Sequence, residues 1–205
     1  MLGVLAALAL GYLLGGVATA AWLARLQGKD IFRLGSGNMG TMNTAGQLGW
    51  QWGLLVLLID LGKGALASYA GLLMAQLAGA EGVAGLALPL AASLGAVLGH
   101  AYSPYVGFRG GKALATALGT TLPLYPLLGA YSLGILLALL LIVRRVAWAS
   151  VLTMAAAPVV AELLLRQQLW PREQRFAAVT AVLAIVLVVI SKHIPDLRRG
   201  EKPLF

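Results

Sequence analysis

The stretch Tyr102-Ser-Pro-Tyr-Val-Gly-Phe-Arg-Gly-Gly-Lys112 sets an arginine, two glycines and a lysine side by side, two residues after His100. Gly110 and Gly111 allow backbone N–H groups to approach a ligand closely, and Arg109 and Lys112 add fixed positive charge. A helix starting just after Gly111 would aim its unpaired amides and the positive end of its dipole at the same spot. That combination suits an anion, phosphate above all. The alternative is a basic loop flanking a membrane helix, with glycine as mere punctuation. This stretch alone leaves both readings open.

A second anion nest is offered by Gly35-Ser-Gly-Asn-Met-Gly40. Its glycines match the dinucleotide pattern G-x-G-x-x-G, but that fingerprint needs a strand before it and a βαβ unit around it. Here apolar helical runs stand on both sides, so the dinucleotide reading fails. The physical content survives: Gly35, Gly37 and Gly40 permit a tight turn of N–H groups, and Ser36, Asn38, Thr41 and Asn43 offer neutral hydrogen bonds. The competing reading is a polar loop whose Ser and Asn only cap helices.

Asp60 and Lys63 fall at i and i+3 inside an apolar run. Charges at that depth are costly and by default functional, yet at this spacing they share a helix face and neutralise each other. His100 and His193 are the two histidines, and there is no cysteine. Metal binding, thiolate chemistry and a disulfide framework therefore have no support, and no cofactor is expected. A basic tail, His193-Ile-Pro-Asp-Leu-Arg-Arg, reads first as a headgroup anchor.

Oily elements must hold these residues. With 60% hydrophobic and 11% charged residues and a mean hydropathy of +0.88, the 205-residue chain is not a soluble globular domain. The net charge of +8 lies between apolar runs, so it signals topology and anionic headgroups rather than nucleic acid. Apolar runs predict spans near 2–24, 52–78, 83–101, 113–122, 124–143, 147–166 and 175–192. The fourth is short and set off from the fifth by Pro123 and Pro126. A half-helix at membrane depth is tolerated when buried in protein, as suits one delivering its N-terminus to a site. Eleven of the fifteen bases fall on one side under this scheme, which puts the N-terminus outside and the C-terminus in the cytoplasm. The expected architecture is all-α and polytopic, a single domain over 1–205 with about seven transmembrane helices. Loops 25–51 and 102–112 and the tail 192–205 then share the cytoplasmic face.

Together these segments resemble the acyl-phosphate-dependent glycerol-3-phosphate acyltransferases of bacterial membranes, the PlsY family. Its first motif runs roughly GSGN-x-GATN-x-x-R, and this chain has Gly35-Ser-Gly-Asn-Met-Gly-Thr-Met-Asn43. Its second runs roughly GH-x-x-P-x-x-x-x-F-(K/R)-GGKG-x-AT. This chain reads Gly99-His-Ala-Tyr-Ser-Pro-Tyr-Val-Gly-Phe-Arg-Gly-Gly-Lys-Ala-Leu-Ala-Thr116, with one extra residue before the proline. Between them D-x-x-KG is matched by Asp60-Leu-Gly-Lys-Gly64. The departures are Thr41-Met42 for Ala-Thr, Gly46 for the motif-one arginine, and Ala113 for a glycine. Motif three, His-x-x-Asn-Ile, has two registers here. Counting back from Gly200-Glu201 puts His193 at the family asparagine, whereas a three-residue deletion puts His193 at the family histidine.

The resemblance implies a plasma-membrane enzyme with its active site facing the cytoplasm. It implies transfer of a fatty acyl group from acyl phosphate to the sn-1 hydroxyl of glycerol 3-phosphate, giving lysophosphatidic acid for phospholipid synthesis. The expected catalytic residues are Ser36, Lys112 and His193. Expected at the substrates are Gly35, Gly37, Asn38, Gly40, Asn43, His100, Arg109, Gly110 and Gly111. The expected partners are the two phosphorylated substrates and membrane lipids. The alternative, motivated by Gly46 and the altered tail, is a paralogue that binds a phosphorylated lipid or solute without catalysis.

Overall fold

The computed structural model describes residues 1–200. Glu201 and Lys202, used above in aligning the tail and counting bases, lie outside the described residues. Nine α-helices form, with no strand among the described residues: α1 (Leu2–Gly16), α2 (Thr19–Leu26), α3 (Thr41–Leu48), α4 (Trp50–Leu77), α5 (Gly82–Ala101), α6 (Leu114–Leu124), α7 (Pro126–Val143), α8 (Val146–Gln167) and α9 (Arg172–Arg199).

Among the described residues, six stretches are long and apolar enough to cross a membrane: Leu2–Leu26, Trp50–Leu77, Gly82–Val106, Pro126–Val143, Val146–Gln167 and Arg172–Arg199. The protein is an all-helical integral membrane protein. The short α6 has 11 residues, about 16 Å of helix, against a hydrocarbon thickness of about 30 Å. The residues flanking it nonetheless reach opposite ends of the last helical segment, one at Asp196 on α9 and the other at Trp170 just before α9. Lys112, just before it, pairs with Asp196, whereas Tyr125, just after it, packs on Trp170 with ring centroids 5.7 Å apart.

Between helices in an apolar solvent the hydrophobic drive is weak, so close backbone packing must supply the attraction. The α1–α5 pair shows how. A Cβ on Gly11 or Gly15 would fall 2.0 Å from the carbonyl oxygens of Ala92 and Ala96. A Cβ on Gly95 or Gly99 would fall 2.2 and 2.0 Å from those of Leu8 and Tyr12. The two helices therefore run parallel in near-backbone contact. α4 runs antiparallel to α5, with Gly71 against Pro89 and Asp60 beside His100.

Four local outcomes differ from the sequence expectation. The first span breaks at Val17–Ala18, between α1 and α2. Loop 25–51 is not all loop, since Thr41–Leu48 is helical and carries Asn43 and Gly46. Pro123 sits inside α6, and the divide from α7 falls at Tyr125, with Pro126 at the first helical position of α7, where its missing N–H costs nothing. Finally, α9 continues through Pro195 to Arg199. One proline removes one i→i−4 bond and does not by itself end a helix already held by its neighbours.

Candidate active site

The loop before α3 is built around one side chain. Asn43 Oδ1 accepts the Ser36 N–H at 3.0 Å, and its Nδ2 donates to Asn38 O at 2.7 Å and Leu34 O at 3.1 Å. Gly37 N–H closes a turn on Leu34 O at 2.9 Å. Gly35 and Gly37 sit at φ +53° and +68°, in the left-handed region that glycine enters at no steric cost. A Cβ on Gly35 would also fall 2.3 Å from Asn43 Oδ1 and 2.9 Å from Gln47 Nε2. Asn43 thus spends both donors inside the protein. It shapes the nest that Ser36, Gly37 and Asn38 present, rather than reaching a ligand itself. Gly40 serves as the N-cap residue of α3, and its carbonyl accepts the Thr44 hydroxyl at 3.0 Å. Ser36 is exposed, so its hydroxyl is available.

The second segment folds into a tight turn on the end of α5. Ser103 Oγ donates to Gly16 O at 2.6 Å, Ser103 N–H donates to Arg109 O at 3.2 Å, and Phe108 N–H donates to Ser103 O at 2.8 Å. Gly111 N–H donates to His100 O at 3.0 Å, and a Cβ at Gly111 would fall 2.0 Å from His100 Nε2. Gly110 is equally confined, since a Cβ there would fall 2.3 Å from the carbonyl oxygens of His100 and Ala101. The paired glycines therefore let the chain lie directly on α5. The Gly111 amide, expected at a ligand, is already used by this contact. The expected helix start also moves, with α6 beginning at Leu114 after Ala113 at φ +60°.

His100 lies beneath this turn and not in an open cleft. Its Nδ1 stands 3.4 Å from Asp60 Oδ1 and 3.2 Å from Thr116 Oγ1. Asp60 pairs with Lys63 at 2.8 Å, and Lys63 Nζ donates to Val17 O at 2.9 Å. The break between α1 and α2 leaves that carbonyl without a helical partner, and the lysine supplies one. The network ties α4, α5, α6 and the α1–α2 break together, so His100 supports Gly111 from below. The expected ligand contact of its imidazole is replaced by this role because both ring nitrogens face protein.

Three cationic side chains border the turn. The Arg109 guanidinium lies over the Phe32 ring, 4.1 Å from its centroid. That contact joins the second segment to the loop around Ser36, because Phe32 O also lies 3.1 Å from the Cβ position of Gly37. Lys192 Nζ donates to Ala101 O at 3.0 Å and lies 4.6 Å from the Tyr102 ring centroid. Lys112 Nζ forms an ion pair with Asp196 Oδ2. His193, one turn before Asp196, is buried, with Nδ1 2.8 Å from Val189 O. A carbonyl only accepts, so Nδ1 carries the proton and the neutral ring keeps its lone pair on Nε2.

Ser36, Gly37, Asn38, Arg109, Lys112 and His193 thus belong to one end of the bundle, and Asn43, His100, Gly110 and Gly111 shape the surfaces that hold them. Asp196 escaped the sequence reading, although its place three residues after His193 on a helix was the available signal. Lys192 and Phe32 also escaped it, and nothing local marks either one.

A membrane-embedded helical bundle with a one-ended cluster of backbone nest, arginine and lysine has the donors and positive charge that an anion requires. Comparison with known proteins makes the class specific. The family model described as glycerol-3-phosphate acyltransferase matches residues 5–202. A glycerol-3-phosphate acyltransferase 1 of Deinococcus radiodurans is 36% identical over 197 residues, covering 95% of this chain and 90% of that protein. A glycerol-3-phosphate acyltransferase of Thermus thermophilus is 36% identical over 194 residues, covering 94% of this chain and 88% of that protein. The crystal structure of PlsY, an integral membrane glycerol 3-phosphate acyltransferase, in its glycerol 3-phosphate form superposes with a TM-score of 0.81 at 28% identity, covering 98% of this chain and 94% of that one. Its lysophosphatidic acid form gives 0.79 at the same identity and coverage. The chain belongs to the glycerol-3-phosphate acyltransferase (PlsY) family. It is accordingly an acyltransferase of phospholipid biosynthesis.

Proposed function

We propose that the protein transfers a fatty acyl group from an acyl phosphate to the sn-1 hydroxyl of glycerol 3-phosphate, releasing lysophosphatidic acid and inorganic phosphate. The hydroxyl oxygen attacks the carbonyl carbon, and the bond from that carbon to the phosphate oxygen breaks. Phosphate leaves with the electron pair. The hydroxyl proton passes to His193 Nε2 or to a substrate phosphate oxygen. A mixed anhydride already carries a good leaving group, so the chemistry asks for positioning and charge relief rather than a side-chain nucleophile. Lys112 and the Ser36–Gly37–Asn38 nest take the departing phosphate, and Arg109 draws in the second anion. Asn43, Gly35 and Gly40 shape the nest, while His100, Gly110 and Gly111 seat Lys112.

The observation that carries this reading is the Arg109–Phe32 contact, which joins the two phosphate-type segments from distant parts of the chain. The test is purified protein with acyl phosphate and glycerol 3-phosphate. The expected result is equimolar inorganic phosphate and 1-acyl lysophosphatidate. Acylation from acyl-CoA without acyl phosphate would overturn the donor.

The same reading places the protein in the bacterial plasma membrane with α6 as a seventh crossing, the N-terminus outside and the site facing the cytoplasm. The distribution of Lys and Arg supports it. Single cysteines at positions 38, 107 and 200 should then label only from the cytoplasm and one at 81 only from outside. Cytoplasmic labelling at 81 would refute the topology.

A further inference from the structure

Lys112, the cation assigned to phosphate, is already engaged by a carboxylate. Its ammonium pairs with Asp196 Oδ2, with the two side chains 22% and 20% exposed. That is too sheltered for an ordinary surface ion pair and too open for a locked one. Any anion binding at Lys112 must compete with Asp196 or share the ammonium with it. Asp196 has a second cation. Arg199 Nη2 lies 3.3 Å from its Oδ1, and Arg199 Nε donates to Pro195 O at 3.2 Å, which fixes that arginine on the same turn of α9. When Lys112 turns to an anion, Asp196 therefore stays neutralised, and the penalty of an orphaned carboxylate is avoided.

We infer that Asp196 is a positioning residue for Lys112 that sets the affinity of the site for phosphate. It holds the ammonium at the edge of the Gly110–Gly111 turn and makes bound phosphate compete for it. Equal, tight binding of substrate and product phosphate would do nothing for the rate and would slow release. A competing carboxylate weakens both bound states, while the growing charge of the leaving group still captures Lys112. The inference rests on Lys112 being the phosphate cation proposed above.

Inorganic phosphate is the probe, used as an inhibitor of acyl transfer and by calorimetry on the purified protein. Asp196→Asn should tighten phosphate roughly 5- to 10-fold, the scale of a partly exposed charge contact. It should lower KM for acyl phosphate, whose phosphate Lys112 takes, and lower kcat several-fold. Asp196→Glu should restore the wild-type values. A merely structural aspartate would instead lower kcat and Tm without tightening phosphate.

The effect of Asp196→Asn should vanish in a Lys112→Ala background. If Lys112→Ala leaves phosphate affinity unchanged, the cradle assignment itself fails. If Lys112→Ala weakens phosphate but Asp196→Asn does not tighten it, only the role of Asp196 fails. Asp196→Ser serves as a second neutral variant. Failure of both neutral variants to fold also overturns the inference, because an exchangeable pair is not required for the fold.

Discussion

The middle of α4 and the turn just before α6 each carry a lysine that meets an aspartate, yet the two pairs differ in setting. Lys63 and Asp60 are 6% and 4% exposed and lie at i and i+3 of one helix. Lys63 also satisfies Val17 O, and Asp60 stands beside His100. Every charge there is buried with protein partners, so the cluster works as a joint between helices. Lys112, in the segment before α6, and Asp196, on α9, are far apart in sequence, remain partly exposed, and sit at the bundle end where the glycine nest and Arg109 gather. The charge types are the same. What separates the structural pair from the one proposed to work on phosphate is whether another anion can reach it.

The sharpest way to break the comparison is to remove one member of the buried pair. Lys63→Ala leaves Asp60 facing His100 without its counter-ion and Val17 O without its donor. Stripping one partner from a buried pair typically costs about 3–5 kcal/mol. The expected result is a large loss of folded protein in detergent thermal melts, with near-normal turnover in whatever fraction remains folded. Normal stability with lost turnover would reverse the assignment of the two lysines.

The complementary change, Lys112→Ala, should leave the melt nearly unchanged and reduce phosphate release by about 10²–10³, the usual cost of losing one transition-state charge contact. Near-native turnover would remove Lys112 from the chemistry.

Gly46→Arg sharpens the boundary of the working end. Gly46 is exposed on α3, and a Cβ there meets open space, so the helix accepts the side chain without repacking. Arginine at this position should hold the acceptor's phosphate. At about 1.5–3 kcal/mol per charged hydrogen bond, KM for glycerol 3-phosphate should fall about 10- to 100-fold, with KM for acyl phosphate barely moved. If it does not fall while Arg33→Ala or Arg198→Ala raises it, one of those exposed bases already fills the role.

The smallest effect belongs to Ser36→Ala. It removes one neutral hydrogen bond from the nest while the Ser36 N–H stays on Asn43. Turnover should fall by well under the Lys112→Ala factor, because a neutral bond is weaker than a charge-assisted one. A loss equal to that of Lys112→Ala would make the hydroxyl a direct participant.

The sequence by itself determined the membrane environment, the helical class and which segments were candidates for holding an anion. Long apolar runs of this length satisfy their backbone in lipid as helices, and glycines beside lysine and arginine marked segments that could take an anion or serve as basic loops. The 3.6-residue repeat likewise fixed Asp60 and Lys63 as neighbours, because i and i+3 on a helix must meet. What it left undecided depends on contacts across long sequence distances. Asn43 looked like a ligand-binding amide until the loop closed around it, and the Gly111 amide looked free until α5 came up beneath it. His193 belonged to a tail until α9 ran on to Arg199, which put Asp196 one turn further along the same helix. The Lys112–Asp196 pair joins residues 84 apart in the chain. No local period or propensity encodes such a contact, so only the packing of α6 against α9 decides which aspartate each lysine meets.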